Sequence, residues 1–398
     1  MTIAARWLLP DGIEETLPPQ AARIEALRRA LLDEYRVWGY DLLQPPTAEY
    51  LESLLTGVGH DLDLLTFKIT DQLNGRMMGI SADRTQQVAR MDAHSIPKEG
   101  VARYCYCNQV LHTKPTHLLS SRNPLQIGAE LYGDSGSQSD LEVISLMLRS
   151  LEIVGLTEVT VDLGHVGIYG ALISQMQLSD DQRAELYSLL RLRALPELST
   201  WLERSALTES QKQTLAALPD MAGAVSGIPE WKTRLSGAPE EVFAALAALQ
   251  SIAEQVTERF PKVNVHLDLA ELRDYNYHTG MVFSAFVPGF GQPVARGGRY
   301  DHTGEVFGRS RPATGFSSDL KILASLTSRD WPKSAGILAP DSNSADLQQK
   351  IHQLRSQGER VIQLFNGQTH IDELGCDRIL VMKDGQWQIQ PLVNNGRN

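Results

Sequence analysis

Four polar side chains stand out in this 398-residue chain: Asp83, Gln126, Glu130 and Arg273. Their surroundings place them on four separated strands or strand ends. Alone, each reads as a surface residue or as half of a structural ion pair. Glu130 is the exception, because its segment LQIGAELYG (125–133) is otherwise nearly apolar. A carboxylate in an apolar strand is unfavourable unless it is paired, so Glu130 either answers a buried backbone group or arginine, or contacts a ligand. Two other groupings invite chemistry. Arg296, Gly297, Gly298 and Arg299 could cradle an anion, since glycine frees backbone N–H groups and arginine adds charge; a structural turn before an edge strand explains the run equally well. Cys105 and Cys107 share one face of a strand, with His112 and His117 nearby. That spacing matches no usual zinc set, which favours a core role for the thiols.

The elements that must hold these residues follow from periodicity. Ile24, Leu27, Leu31, Tyr35 and Trp38 form one stripe of a helix over 20–38, with Gly39 as its cap. YDLLQPP reads as a short strand stopped by Pro45 and Pro46. Residues 65–80 read as a hairpin turning at Asn74–Gly75. A helical stretch near 86–95 is followed by strands at 103–112 and 124–133 and an amphipathic helix at 139–155. A strand at 157–163 leads into a helical insertion over about 168–258, with Ser179 and Thr208 as N-caps. Strands return at 263–269 and 280–287. ARGGRYD (295–301) reads as a glycine-rich turn, and a last helix covers about 315–327. A linker at 328–334 precedes a small α/β unit over 335–398: a strand at GILAP, a helix at 344–357, a strand at RVIQLF and a hairpin around Asp384–Gly385.

Composition narrows the function. A formal net charge of −11 disfavours broad binding to nucleic acid or anionic membrane. No apolar run is long enough for a transmembrane helix, and the N-terminus makes a poor signal peptide. Three cysteines build no disulfide framework, so the cytoplasm is the expected compartment.

In order along the chain, the 20–46 helix and strand, ISADRT (80–85), QIGAELYG (126–133), LRDYNYHTGMVF (272–283), ARGGRYD and GFSSDLKIL resemble the core of the class II histidyl-tRNA synthetases over about residues 5–327. The resemblance implies an α+β fold: an antiparallel sheet flanked by helices, a core over 1–327 carrying the helical insertion, and a separate 335–398 domain. It also implies a dimer through the 20–46 segment and a pocket for free L-histidine. In that pocket Asp83 and Thr85 meet the α-amino group, Gln126 and Arg273 the carboxylate, and Glu130 the imidazole, while Tyr277 and Tyr300 form the walls. His278 stands where the family has a second tyrosine.

The departures lie on the nucleotide side. Where the family holds ATP with arginines, this chain has His112, Ser120 and Ile322; Lys114 replaces an adenine-reading glutamate, and Asp319 a glycine. Arg122 and Arg273 remain. A triphosphate needs several guanidinium forks at about 1.5–3 kcal/mol each, so losing three removes roughly 4–9 kcal/mol if additive. The 334–398 segment carries six basic and seven acidic side chains, no footprint for RNA. This combination looks like the regulatory subunits of short-form ATP phosphoribosyltransferases. By that resemblance the chain is no enzyme by itself and needs neither cofactor nor metal. It joins a small catalytic subunit in a hetero-octamer, activates it, relays feedback inhibition by L-histidine in histidine biosynthesis, and binds neither tRNA nor membrane. The competing expectation is an active histidyl-tRNA synthetase or a related amino-acid ligase.

Overall fold

The computed structural model describes residues 7–55, 60–96, 98–116, 120–272, 277–329, 335–368 and 370–392, apart from the side chains of residues 60 and 61. The chain divides into two compact units, Met1–Arg329 and Asp330–Asn398.

In the first unit, α1 (Pro18–Val37) buries Ile24, Leu27, Leu31 and Tyr35. It leads to β1 (Asp41–Leu42), β2 (Ala48–Tyr50), α2 (Leu51–Leu55), α3 (His60–Leu65), β3 (Phe67–Thr70) and β4 (Met77–Ile80). The β3–β4 hairpin forms, but its loop spans residues 71–76, because Thr70 pairs with Met77. Only Gly75 takes positive φ there, and the Asn74 side chain instead donates to the Tyr50 hydroxyl. Then come α4 (Thr85–Arg90), ending in a π-helical turn at Met91–Ser95, β5 (Ala102–Gln109), β6 (Leu125–Tyr132), α5 (Ser137–Val154) and β7 (Thr160–His165).

The insertion comprises α6 (Val166–Ser174), α7 (Asp180–Arg191), α8 (Leu195–Arg204), α9 (Glu209–Ala217), the short β8 (Ala222–Gly223), α10 (Ile228–Arg234) and α11 (Glu240–Arg259). Ser179 and Thr208 each close a capping box, with Gln182 and Gln211. The unit ends with β9 (Asn264–Asp268), β10 (Met281–Phe286), β11 (Ala295–Arg299), β12 (Ala313–Asp319) and α12 (Leu320–Leu326).

Nine strands form one sheet in the order β1-β5-β6-β12-β11-β10-β7-β9-β8, while β2-β4-β3 form a second. The large sheet is mixed: β1–β5 and β7–β9 run parallel and the remaining pairs antiparallel. Two expectations are corrected at its centre. ARGGRYD is largely strand β11, paired on both edges, so its N–H groups belong to ladders rather than to an anion cradle. A side chain at Gly297 would strike the Gly315 carbonyl and the Phe283 ring, so glycine here serves close packing. Residues 313–319, assigned above in part to a helix, are strand β12, and only 320–326 are helical.

Successive residues of a strand face opposite sides of the sheet. One face of the large sheet packs on helices, with Tyr35 of α1 edge-on to Phe316 at 6.1 Å. The opposite face carries Tyr104 and Tyr106 of β5 together with Gln126, Glu130 and Tyr132 of β6. Gln126 and Glu130 thus share one strand rather than two. No helix among the described residues is long and apolar enough to cross a membrane.

The second unit comprises β13 (Gly336–Ala339), α13 (Ala345–Ser356), β14 (Val361–Gln363), β15 (Cys376–Lys383) and β16 (Gln386–Pro391), with strand order β14-β13-β15-β16. Ile337, Leu347, Ile351, Leu354, Val361 and Leu380 share its core. Asp384 and Gly385 both take positive φ in the β15–β16 turn, as a two-residue hairpin requires.

Candidate functional site

Glu130 lies at the centre of the open face of the large sheet, 1% exposed. Its register partners are Tyr104 on β5 and Gly315 on β12. The glycine is what makes room: a Cβ at 315 would sit 1.5 Å from Glu130 Oε2. Leaning over that gap, Oε2 accepts a short hydrogen bond from the Tyr300 hydroxyl, and Oε1 accepts one from Tyr106 at 3.1 Å. The Tyr300 hydroxyl also reaches that of Tyr132 at 3.4 Å. Tyr277 stacks on Tyr300, with ring centroids 5.2 Å apart and planes inclined by 22°. His278 meets Tyr277 edge-on, and its Nδ1 lies 3.2 Å from the Arg299 carbonyl, so its ring is tied to the β11 backbone.

Among the described residues this carboxylate is bonded by hydroxyls alone. Burial pushes the Glu130 carboxyl up to about 8; the Tyr300 hydroxyl favours its ionised form, Asp83 opposes it, and the Tyr106 and Thr85 hydroxyls favour it. Burial also raises Tyr106 and Tyr300 well above the usual phenol range, so both stay neutral donors. A buried acceptor ringed by neutral donors and aromatic faces suits an imidazole N–H.

The second half of the site is an amide–carboxylate pair. Asp83 Oδ1 accepts from the Thr85 backbone N–H at 2.9 Å and from Gln126 Nε2 at 3.0 Å. Gln126 Oε1 accepts from the Arg84 N–H at 2.9 Å. Both polar ends of Gln126 are therefore oriented by the 83–85 turn. Among the described residues, Asp83 Oδ2 and the second Nε2–H of Gln126 are left for a ligand: an acceptor for an ammonium and a donor for a carboxylate. Asp83, Thr85, Gln126, Glu130 and Tyr300 thus form one connected group with Tyr277 stacked on it. Arg273 lies outside the described residues.

The residues expected on a nucleotide side serve as scaffold. His112 Nε2 lies 3.0 Å from the Ala82 carbonyl. Arg122 is occupied by backbone: Nε donates to the His112 carbonyl at 3.0 Å and Nη1 to the Asp11 carbonyl at 2.8 Å, while its own N–H bonds Gly12. Asn123 adds a reciprocal pair with the Glu14 backbone, so the N-terminal segment is strapped across this corner. Asp319 caps α12 through the Lys321 N–H and takes the Leu125 N–H as well. Lys114 is exposed, and Thr116 donates to Ser120 at 3.3 Å.

Two earlier candidates belong to the framework. Arg299 is buried among Asp140, Ser139, Asp301 and the carbonyls of Asp134 and Gly136. Cys105 and Cys107 are buried, and burial pushes their thiols up to about 12 and about 11, away from the thiolate a metal would need. His117 lies outside the described residues. Tyr106, Tyr132 and Arg84 were not singled out in the sequence; the one signal for the tyrosines is their alternation on strands beside Glu130.

Comparison with known proteins fits this geometry. The family model described as histidyl-tRNA synthetase matches residues 12–323, and that of the ATP phosphoribosyltransferase subunit HisZ C-terminal domain matches 334–390. An ATP phosphoribosyltransferase regulatory subunit of Chromohalobacter salexigens is 52% identical over 394 residues, 99% of this chain and 100% of the relative. A Bacillus halodurans structure, described as an ATP phosphoribosyltransferase regulatory subunit/histidyl-tRNA synthetase, superposes with a TM-score of 0.80 at 27% identity, covering 92% of this chain and 95% of that one. The ATP phosphoribosyl transferase (HisG:HisZ) complex from Thermotoga maritima shares the fold at a TM-score of 0.59 and 18% identity, covering 74% of this chain and 96% of that one. A synthetase-like core, a C-terminal unit with a match of its own and a relative half identical from end to end agree: the chain belongs to the family of ATP phosphoribosyltransferase regulatory subunits.

Proposed function

We propose that this chain senses free L-histidine in the pocket built on Glu130 and passes that state to the small catalytic subunit of a short-form ATP phosphoribosyltransferase, activating it when histidine is scarce and inhibiting it when histidine accumulates. One observation carries the reading. The half of the site suited to an amino acid is intact and connected, while the half that would hold ATP has Arg122 bonded to backbone carbonyls and His112, Ser120 and Ile322 in place of phosphate-binding arginines. A protein that holds histidine without a means to activate it is a sensor. Sensing requires unequal affinity in two states, because a ligand that binds both equally shifts nothing.

The partner follows from the family, and the Thermotoga maritima relative of the same fold is itself described as a HisG:HisZ complex. In this reading the chain dimerises through the α1–β1 segment, joins the catalytic chains in a hetero-octamer, works in the cytoplasm and uses neither cofactor nor metal. It ignores tRNA: between residues 166 and 259 the insertion carries twelve acidic and eight basic side chains, and the C-terminal segment is also slightly acidic. Phosphate neutralisation has little to draw on there.

The test is a mixing experiment. The catalytic chain is assayed alone, with this chain, and with this chain plus L-histidine. The expected result is a faster reaction that histidine slows, with a coupling of about 1–3 kcal/mol. If this chain changes neither the rate nor the histidine response, and the two proteins elute separately from a sizing column, the assignment is wrong.

A further inference from the structure

Arg84 is among the largest fully buried side chains of the molecule, at 1% exposure. Its guanidinium has no carboxylate within hydrogen-bond distance among the described residues. It donates instead to the Pro46 carbonyl at 2.8 Å, to Gln87 Oε1 at 2.6 Å and, by a short bond, to the Gln109 carbonyl. Its Nε has no partner there. Burying a guanidinium without a paired anion is unfavourable even where its N–H groups meet neutral acceptors. Stability alone therefore does not explain an arginine here.

Its position does. The acceptors come from three elements: the corner after β1, the end of β5 and helix α4. Gln87 ties the same corner, donating to Pro46 O and to Glu49 Oε1, both at 2.8 Å, and Glu49 is gripped by Arg90. The backbone N–H of Arg84 is the group that orients Gln126, and the residues on either side of it are Asp83 and Thr85. The side chain thus anchors the turn whose main chain and neighbours define the amide–carboxylate half of the pocket. Glu130 takes its two tyrosine donors from β5 and from the residue that follows β11, and among the described residues the turn reaches it only through the Thr85 hydroxyl.

We propose that Arg84 is the positioning residue for the main-chain end of the ligand: it pins the 83–85 turn to Pro46 and Gln109, so that Asp83 meets the ammonium and Gln126 the carboxylate, while the imidazole end is set chiefly by the tyrosines on and beside the sheet. The proposal rests on the histidine reading above and goes further, assigning the two ends of the ligand to separately built halves.

The experiment compares Arg84→Met with the wild-type full-length chain, using calorimetry with L-histidine and with 4-methylimidazole, a fragment that keeps the ring and lacks both main-chain groups. Thermal midpoints are recorded alongside. The expected result is a loss of about 10- to 150-fold in L-histidine affinity with 4-methylimidazole affinity held within about twofold; the thermal midpoint falls as buried acceptors lose their donor, but that fall does not by itself separate the two ligands. Equal losses for both ligands, or no loss for either, would overturn the proposal, since a merely structural role predicts one of these. If Arg84→Met does not fold, Arg84→Lys decides the matter: it keeps the charge but not the fork to the two carbonyls, and must show the same skew. Wild-type protein that fails to bind L-histidine would instead refute the sensing reading itself.

Discussion

The residues around Glu130 and those around Arg122 use their polar groups in opposite ways on one scaffold. Around Glu130, a costly buried carboxylate is preserved with every element needed to keep it: a glycine at 315 to make room, tyrosine donors at 106 and 300, and a tyrosine stacked behind. Around Arg122, the remaining cation has been absorbed into packing, clipping the 11–14 segment to the 112–122 corner. In the proposed reading, the contrast shows how binding can be kept without catalysis. Binding a ligand needs complementary groups held in place, whereas chemistry on it also needs a second substrate, and removing the charges for that substrate ends catalysis without disturbing the first pocket.

The comparison can be broken most severely at Gly315. The substitution Gly315→Ala drives a methyl group into Glu130, so L-histidine affinity should fall at least about 100-fold, with an overpacking cost of about 1–3 kcal/mol in denaturant unfolding. Retained affinity would mean that Glu130 is not a ligand contact. Glu130→Gln keeps the shape and removes the ionisable oxygen; calorimetry above about pH 8, where the wild-type carboxyl is ionised, should register a loss of about 10- to 150-fold with an unchanged circular dichroism spectrum.

A subtler effect concerns pH. The carboxyl of Glu130 is pushed above its ordinary 4.5 to about 8, chiefly by burial. A raised acid favours folding most when protonated, so its contribution is full below about pH 4.5 and is lost as pH rises towards 8. The slope is at most about 1.4 kcal/mol per pH unit. Urea unfolding between pH 5 and 8 should show a shallower fall in stability for Glu130→Gln than for wild type; identical slopes would mean that the carboxyl titrates normally. The smallest effect on histidine is expected from Arg122→Ala. It should lower stability by about 1–3 kcal/mol through lost backbone contacts and leave L-histidine affinity within about twofold. A large loss of affinity would show that the two halves are not separable.

What the sequence made legible was local or paired with a strong pattern. The N-caps at Ser179 and Thr208 and the Asp384–Gly385 turn depend on a few adjacent residues, and all three form. Glu130 was visible as a carboxylate in an apolar strand. The failures lie in the middle of the sheet, where context decides. ATGFSSD has no clear alternation, yet pairing on both edges makes it a strand. ARGGRY looks like a turn by composition, but its glycines allow close approach between neighbouring strands. Arg84 gives no signal in the sequence, where arginine is ordinarily a surface residue; only the fold reveals three acceptors converging on it. Arg122 reads as a free cation for a related reason, since nothing in its local sequence shows the Asp11 carbonyl 111 positions away.

The contrast between the halves is tested most directly by titrating the pure full-length chain in a calorimeter, once with L-histidine and once with magnesium ATP. The account predicts saturable binding of L-histidine and no heat of binding with ATP, whether or not histidine is present. Saturable ATP binding, or failure to bind L-histidine, would contradict it.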